Sequence, residues 1–137
     1  MPESCQKTIV TAEKAPKAIG PYSVGVKAGP FVYTAGQLGL DPATNNLVAG
    51  GVEAETRQAL LNLQAILEAA GTSLNDVVKT TVFLKDMNDF QKMNGIYGEF
   101  FKSDAPARSA VQVAVLPRGG AVEIEAVAFI SEACDCC

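Results

Sequence analysis

The chain has 137 residues, 48% of them apolar and 19% charged, which fits one globular domain over residues 1–137 and excludes a disordered or fibrous protein. Its net charge of −4 argues against a dedicated nucleic-acid binder, because such a surface lacks the basic stripe that phosphate binding requires. The chain has no histidine, which excludes Ser-His-Asp and Cys-His nucleophile systems and histidine-ligated zinc, and leaves carboxylates, arginine, tyrosine, backbone amides and water for any catalysis.

The first third of the chain is predicted to be strand and loop. Residues 7–11 have the composition of a short strand, whereas two prolines and a glycine predict a loop over residues 15–22. Residues 31–36 are rich in β-branched and aromatic side chains and follow residues 22–27 after a Gly-Pro pair, which predicts a hairpin. A polar turn region follows over residues 41–51.

Two helices and a strand are predicted in the middle of the chain. Apolar residues recur from Val52 to Ala70 with the spacing of a helix that buries one stripe, and Gly71 supplies a C-terminal stop. β-Branching and length predict a strand over residues 77–84. A second helix is predicted from about Met87 to Lys102, with two glycines that weaken it by about 1 kcal/mol each relative to alanine.

The last two strands are predicted over residues 107–116 and 121–130, joined by a tight Pro-Arg-Gly-Gly turn. Two helices and about six strands are most simply arranged as an α+β fold, with one mixed sheet and both helices packed on one face. The other face of the sheet is then open.

Alternation along these strands predicts that Arg108, Glu123 and Glu125 share the open face. One interpretation is a solvated polar face. The other is a face that meets a partner chain, because apolar side chains alternate onto it as well. In a tight hairpin Glu123 would lie opposite about Ala114, which leaves Arg108 roughly 20 Å away at about 3.4 Å per residue. We therefore expect Arg108 and Glu123 to meet only across a subunit boundary, unless the hairpin is not tight.

The cysteines all lie near the chain ends, where they cannot staple a core: Cys5, Cys134, Cys136 and Cys137. We expect reduced thiols in a flexible tail over residues 131–137, with capture of a soft metal by the Cys-Asp-Cys-Cys end as the alternative. No apolar run approaches the roughly 18 residues of a membrane helix, and the N-terminus has no signal-peptide layout. These features predict a cytoplasmic protein and leave a mitochondrial or other organellar location open.

Five segments of the chain closely resemble the RidA family of reactive-intermediate deaminases. They are AIGPYSVGV at 18–26, VYTAGQLGLDP at 32–42, NDVVKTTVFLKDMNDF at 75–90, MNGIY at 93–97 and PARSAVQVAVLPRGGAVEIEA at 106–126. The resemblance implies a chorismate-mutase-like α+β subunit in a homotrimer with ligand clefts between subunits. It also implies hydrolysis of enamines and imines, such as 2-aminoacrylate and 2-aminocrotonate, to 2-keto acids and ammonia without a metal or organic cofactor.

The resemblance also implies roles for individual residues. Arg108 would hold the substrate carboxylate, which a planar fork of donors binds bidentately. Glu123 would position or activate water or relay a proton at the imine carbon, as a carboxylate in a cleft is suited to do. Four further residues would contribute to substrate binding: Tyr22, Gly36, Ala110 through its backbone N–H, and Asn94. Their alternative roles are loop packing for Tyr22, a bulge for Gly36 and a helix surface for Asn94.

The chain departs from the family pattern at Ala35, where many members carry a serine hydroxyl. That difference puts in question either the need for the hydroxyl or the strength of the activity. The neighbouring Thr34 should point to the opposite face of its strand. Ala110 occupies the position of a cysteine in some members, so no thiol chemistry is expected in the cleft.

Two alternatives to the deaminase remain from the sequence. One is an RNA-directed translation inhibitor or endoribonuclease, to which the Arg-Gly-Gly at residues 118–120 could contribute, although those residues suit a plain turn and the chain is acidic. The other is a trimer that binds small molecules or acts like a chaperone without turnover.

Overall fold

The computed structural model describes residues 6–131, which form one sheet with two helices against one of its faces. The strands are β1 (Thr8–Val10), β2 (Gly25–Ala28), β3 (Phe31–Thr34), β4 (Gln37–Leu38), β5 (Val77–Leu84), β6 (Ala107–Gln112) and β7 (Val122–Phe129). The helices are α1 (Gly51–Ala69) and α2 (Phe90–Phe100). Within residues 6–131 no helix combines the length and the apolarity that a bilayer crossing requires. The cysteines lie outside the described residues, as does nearly all of the predicted tail.

The sheet is mixed, with strand order β1-β2-β3-β7-β5-β6, and β4 pairs with the first part of β7 beyond the end of β3. Strands β5 and β6 are parallel and all other pairs are antiparallel. The predicted α+β class, the β2–β3 hairpin and both helices are confirmed. The strand β4 was not predicted, because two residues carry too little pattern to indicate a strand.

The core lies between the helices and the inner face of the sheet. From α1 it receives Leu60, Leu63 and Ile66, all fully buried, because they recur along one stripe of the helix. From the sheet it receives Val82 and Ile124, which are also fully buried. Each such side chain contributes roughly 1.5–3 kcal/mol by its removal from water.

The predicted hairpin between the last two strands is wrong. Strand β5 lies between β6 and β7 and pairs with both, so Glu123 lies opposite Phe83 rather than near Ala114. The physical reason is the crossover through α2, which returns the chain to the same sheet as a strand parallel to β5. The chain from 113 to 121 then passes the end of β5 to reach its other side.

The predicted sharing of one face by Arg108 and Glu123 is also wrong. Thr80, the register partner of Arg108, is buried against the helices, whereas Glu123 alternates with the buried Val122 and Ile124 and faces away from them. Arg108 therefore lies on the helix side of the edge strand, and Glu123 lies on the open face.

The open face is largely apolar, as the partner-chain interpretation expected. Ile9 pairs with Val26, Val26 with Tyr33, and Tyr33 with Val127, so one row of apolar side chains crosses four strands. Ile9 is 50% exposed and Tyr33 is 46% exposed. A contiguous apolar row on a sheet face is typical of a surface that packs against another chain.

Candidate functional site

A bulge between β3 and β4 shapes the site. Tyr33 pairs with Val127 and Gln37 pairs with Ile124, so the β3–β4 segment has one more residue than β7 between these pairs. The N–H of Ala126 donates to the hydroxyl of Thr34 at 3.0 Å. The hydroxyl of Thr34 is thus used inside the sheet and does not replace the missing serine at position 35.

The bulge brings the backbone of Gly36 against the side chain of Glu123. A Cβ atom at position 36 would lie 2.8 Å from Cδ and 2.9 Å from Oε1 of Glu123. Cβ atoms essentially never approach another atom this closely, so a side chain at position 36 would require the carboxyl group of Glu123 to move. The bulge predicted as an alternative role for Gly36 is thus observed, and its contribution to substrate binding stays a prediction.

The carboxylate of Glu123 borders a cavity of about 420 Å³. Tyr22 and Gly36, which were predicted as site residues, line this cavity with Glu123. Ala35, the residue at the family serine position, lines it as well. The structure thus brings together three of the six predicted site residues.

Two basic residues at the cavity were not predicted as part of it, Lys17 and Arg118. Arg118 has a φ of 62°, and its Nη2 donates to the carbonyl oxygen of Asn45 at 2.8 Å. The predicted turn over 117–120 is a short 3-10 turn, but it connects β6 to β7, which do not pair with each other. Both residues supply positive charge to a cavity whose acid is Glu123.

Burial raises the pKa of Glu123 above the ordinary value for glutamate, and the nearby negative charge of Glu125 raises it further. Both causes disfavour the ionised form. A carboxyl group with a raised pKa gains a proton more readily than an ordinary one, so it can both accept and return a proton nearer to neutral pH. Glu123 is half-buried, which is consistent with a group that solvent and a ligand can both reach.

A buried polar side chain of α1, Asn62, forms hydrogen bonds to the cavity wall. It was not predicted from the sequence as a residue of the site. Nδ2 of Asn62 donates to the carbonyl oxygens of Leu38 at 3.1 Å and Leu40 at 2.9 Å, and its Oδ1 accepts from Nε2 of Gln58 at 2.9 Å. The sequence did indicate a buried polar residue here, since Asn62 falls at helical spacing among the apolar residues of the buried stripe.

Glu55, a buried acid, holds the loop before β7. Its Oε1 accepts from the backbone N–H of Ala121 at 2.8 Å. Gly39 packs on the backbone of Glu55, where a Cβ would approach Cα of Glu55 to 2.5 Å. Glu55 therefore fixes the start of the strand that carries Glu123.

The other predicted site residues form a separate group on the helix side of the sheet. Nη1 of Arg108 donates to Oδ1 of Asn94 at 2.7 Å. Ala110 follows Arg108 on the same side of β6 and packs at the margin of the core. Asn94 is therefore a partner of Arg108 rather than a residue of the open helix surface.

The two groups are apart within one chain. Arg108 is level with Thr80 and Glu123 with Phe83, so the two Cα atoms are three residues apart along the sheet and two strands apart across it, or ~14 Å. Their side chains also leave opposite faces. Among residues 6–131, no three His, Cys, Asp or Glu side chains lie close enough together to hold a metal ion.

Several known proteins are similar to this chain over nearly its whole length. The family model described as endoribonuclease L-PSP matches residues 12–130. A RutC family protein of Pyrococcus horikoshii is 55% identical over 90% of this chain and 98% of its own length. A mouse protein named 2-iminobutanoate/2-iminopropanoate deaminase is 55% identical over 89% of this chain and 90% of its own. The crystal structure of Escherichia coli TdcF with bound serine is 44% identical, with a TM-score of 0.87 over 90% of this chain and 99% of that one.

Proposed function

Because the chain belongs to the endoribonuclease L-PSP family, of which the RidA proteins are members, we propose that it hydrolyses small enamines and imines to 2-keto acids and ammonia. The substrates proposed are 2-aminoacrylate and 2-aminocrotonate through their imine tautomers. The observation that carries the proposal is the half-buried carboxylate of Glu123, with its raised pKa, against Gly36 in a cavity large enough for such a substrate. Relatives named 2-iminobutanoate/2-iminopropanoate deaminase support the same reaction.

In the proposed reaction, the enamine first gains a proton at its terminal carbon and loses one from its nitrogen, which gives the imine. Glu123 then takes a proton from water as the water oxygen bonds to C2, and the C=N bond becomes a single bond as its nitrogen gains a proton. The resulting carbinolamine loses its C–N bond when its nitrogen receives a second proton, which the carboxyl group of Glu123 returns, and the nitrogen leaves as ammonia. The hydroxyl proton is released, C2 becomes the ketone, and Glu123 returns to its starting state. No metal or organic cofactor takes part in the proposed steps.

Arg108 is proposed to bind the carboxylate of the substrate. Arg108 is half-buried, and within residues 6–131 the only hydrogen-bond acceptor of its side chain is Asn94. Nε and Nη2 are thus available for a bidentate contact with a carboxylate. The relative from E. coli is described with serine, a small carboxylate-bearing amino acid. The backbone N–H of Ala110 is proposed to assist.

Arg108 and Glu123 lie too far apart within one chain to meet at one site. We therefore propose that each site forms between two chains of a homotrimer. The apolar open face that includes Ile9 and Tyr33 supports an assembly in which sheets pack together. The half-site with Glu123, Tyr22 and Gly36 would come from one chain, and the half-site with Arg108 from its neighbour. The cytoplasmic location stays a prediction.

The proposed reaction is tested in a coupled enzyme assay. A PLP-dependent threonine dehydratase generates 2-aminocrotonate from threonine, and release of 2-oxobutanoate is followed with and without this protein. We expect the protein to accelerate release, and Arg108→Ala to abolish saturable turnover. Equal rates with the parent protein and with Arg108→Ala would show that this site does not perform the reaction.

RNA cleavage is the second candidate, because the matching family model is described as an endoribonuclease. The net charge of −4 opposes it. Incubation of the same preparations with labelled single-stranded RNA separates the candidates: cleavage that persists in Arg108→Ala without acceleration of keto-acid release would favour the ribonuclease. Binding of 2-oxobutanoate without either activity would favour the non-catalytic trimer.

A further inference from the structure

The guanidinium of Arg108 lies against two aromatic rings of α2. Its Cζ atom is 4.6 Å from the ring centroid of Tyr97 and 5.4 Å from that of Phe90, within the distance of cation–π contacts. Asn94, which accepts from Nη1, lies between these two positions along the helix. The spacing of four and then three residues places all three side chains on one face of α2. One helix therefore supplies every close partner of Arg108 described above.

The Tyr97 ring is itself fixed. Its hydroxyl shares a 2.7 Å hydrogen bond with the hydroxyl of Thr80, and both residues are buried. The ring of Phe101 packs on it with the centroids 4.7 Å apart. Burial raises the pKa of Tyr97 above its ordinary value, although the bond to Thr80 and the charge of Arg108 act in the opposite direction. The phenol is thus neutral at physiological pH, and its ring provides a rigid surface.

We propose that Tyr97 and Phe90 are positioning residues that hold Arg108 ready for a carboxylate. This inference rests on the proposed function, in which Arg108 binds the substrate carboxylate. A free arginine side chain loses much of its rotamer freedom when it binds a ligand, whereas one already held on two rings loses less. Both rings lie within cation–π distance of the guanidinium and Asn94 occupies one donor, which leaves Nε and Nη2 for the ligand.

Four variants test the proposal. Tyr97→Leu removes the ring, Tyr97→Phe keeps the ring and removes only the bond to Thr80, and Phe90→Leu removes the second ring. Phe101→Leu is the matched control, because it removes an aromatic contact of Tyr97 without a described contact to Arg108. Each variant is characterised by KM and kcat in the coupled assay and by Kd for 2-oxobutanoate, with thermal unfolding as a check on the fold.

We expect Tyr97→Leu to raise KM and Kd about tenfold while kcat changes by less than about threefold, and Phe90→Leu to raise KM and Kd by about threefold. Tyr97→Phe and Phe101→Leu should stay within about twofold of the parent protein, because each keeps the buried ring at position 97 against Arg108 and removes only one of its other contacts. Values for Tyr97→Leu and Phe90→Leu that equal those of Phe101→Leu would overturn the proposal while the deaminase function stood.

A measurement that does not depend on turnover separates the proposed deaminase function from the proposed positioning of Arg108. The Nε–H resonance of Arg108, assigned by its loss in Arg108→Ala, reports by NMR relaxation whether the side chain is held. We expect it to be ordered in the parent protein and mobile in Tyr97→Leu. If the parent protein has no deaminase activity but this difference is present, the proposed function is wrong and the positioning of Arg108 is supported. An Arg108 signal as mobile in the parent protein as in Tyr97→Leu would overturn the positioning.

Discussion

The backbone of Gly36 lies in contact with the carboxylate of Glu123. A Cβ atom at position 36 would lie 2.8 Å from Cδ of Glu123, within the space that the carboxyl group occupies. Gly36 lies within the β3–β4 bulge, where this segment has one more residue than β7 between the Tyr33–Val127 and Gln37–Ile124 pairs. The placement of the proposed base therefore depends on the absence of a side chain at one position in the neighbouring strand segment.

Gly36→Ala should displace the carboxylate of Glu123. We expect kcat to fall at least about tenfold, which corresponds to a loss of about 1.4 kcal/mol of transition-state stabilisation. The matched control is Gly95→Ala on α2, where a Cβ meets nothing within 4 Å. That change should leave kcat unaltered and stabilise the protein by about 0.5–1 kcal/mol, because alanine is the better helix former. Steady-state kinetics and urea unfolding measure both effects, and equal kcat values for the two variants would contradict the account.

The pH dependence of turnover should report the raised pKa of Glu123. As a base, Glu123 must be ionised, so kcat/KM should fall as the pH decreases through this raised pKa. Glu125→Gln removes the smaller of the two causes that raise it, so the acidic limb should move to lower pH. Glu53→Gln, on the exposed first turn of α1, should leave the profile in place. A shift to higher pH in Glu125→Gln would show that the charge of Glu125 does not act as described.

Local pattern predicted most of the fold. The helix predicted over 52–70 is observed at Gly51–Ala69, and the strand predicted over 77–84 is observed at Val77–Leu84. Both have strong local signals, a buried stripe in one and a run of β-branched residues in the other. The order of strands was not predictable in this way, because adjacent segments separated by Pro-Arg-Gly-Gly suggest a hairpin. Only the α2 crossover, a tertiary feature, places β5 between β6 and β7.

Removal of the buried amide of Asn62 should loosen the cavity wall. Asn62→Ala leaves the carbonyl oxygens of Leu38 and Leu40 without their donor, and we expect a loss of about 2–4 kcal/mol in the free energy of unfolding. Gln64→Ala removes a hydrogen bond to Glu68 on the exposed face of the same helix and should cost no more than about 0.5 kcal/mol. Chemical denaturation of both variants measures the difference. Similar losses for the two variants would show that the Asn62 bonds contribute little.

Ala35→Ser restores the hydroxyl that many family members carry. Position 35 lines the cavity, so the new hydroxyl would be available to a bound ligand or water, and one such hydrogen bond is worth about 0.5–1.5 kcal/mol. We therefore expect kcat/KM to rise about two- to tenfold. The parent protein and Ala35→Ser are compared in the coupled assay. An unchanged or lower kcat/KM in the variant would indicate that the reaction in this chain does not use a hydroxyl at that position.

The site was only partly predictable from the sequence. Family resemblance named Glu123, Arg108 and Asn94, but strand alternation alone placed Arg108 on the wrong face. Alternation defines which residues share a side within one strand, and it does not show which side of the sheet the helices cover. Lys17 and Arg118 lie far apart in sequence, and only the folded chain brings them to the same cavity.

Arg108 of one chain and Glu123 of another are proposed to form each site, and subunit mixing tests this claim most directly. Arg108→Ala and Glu123→Gln should each be inactive alone. Equal amounts of the two are unfolded together, refolded and assayed, with mass spectrometry of the intact assemblies to verify mixing. If each site draws one residue from each of two chains, random assembly gives about a quarter of the sites both functional residues, and about a quarter of parent activity should return. Mixed assemblies that remain as inactive as the separate variants would contradict the claim.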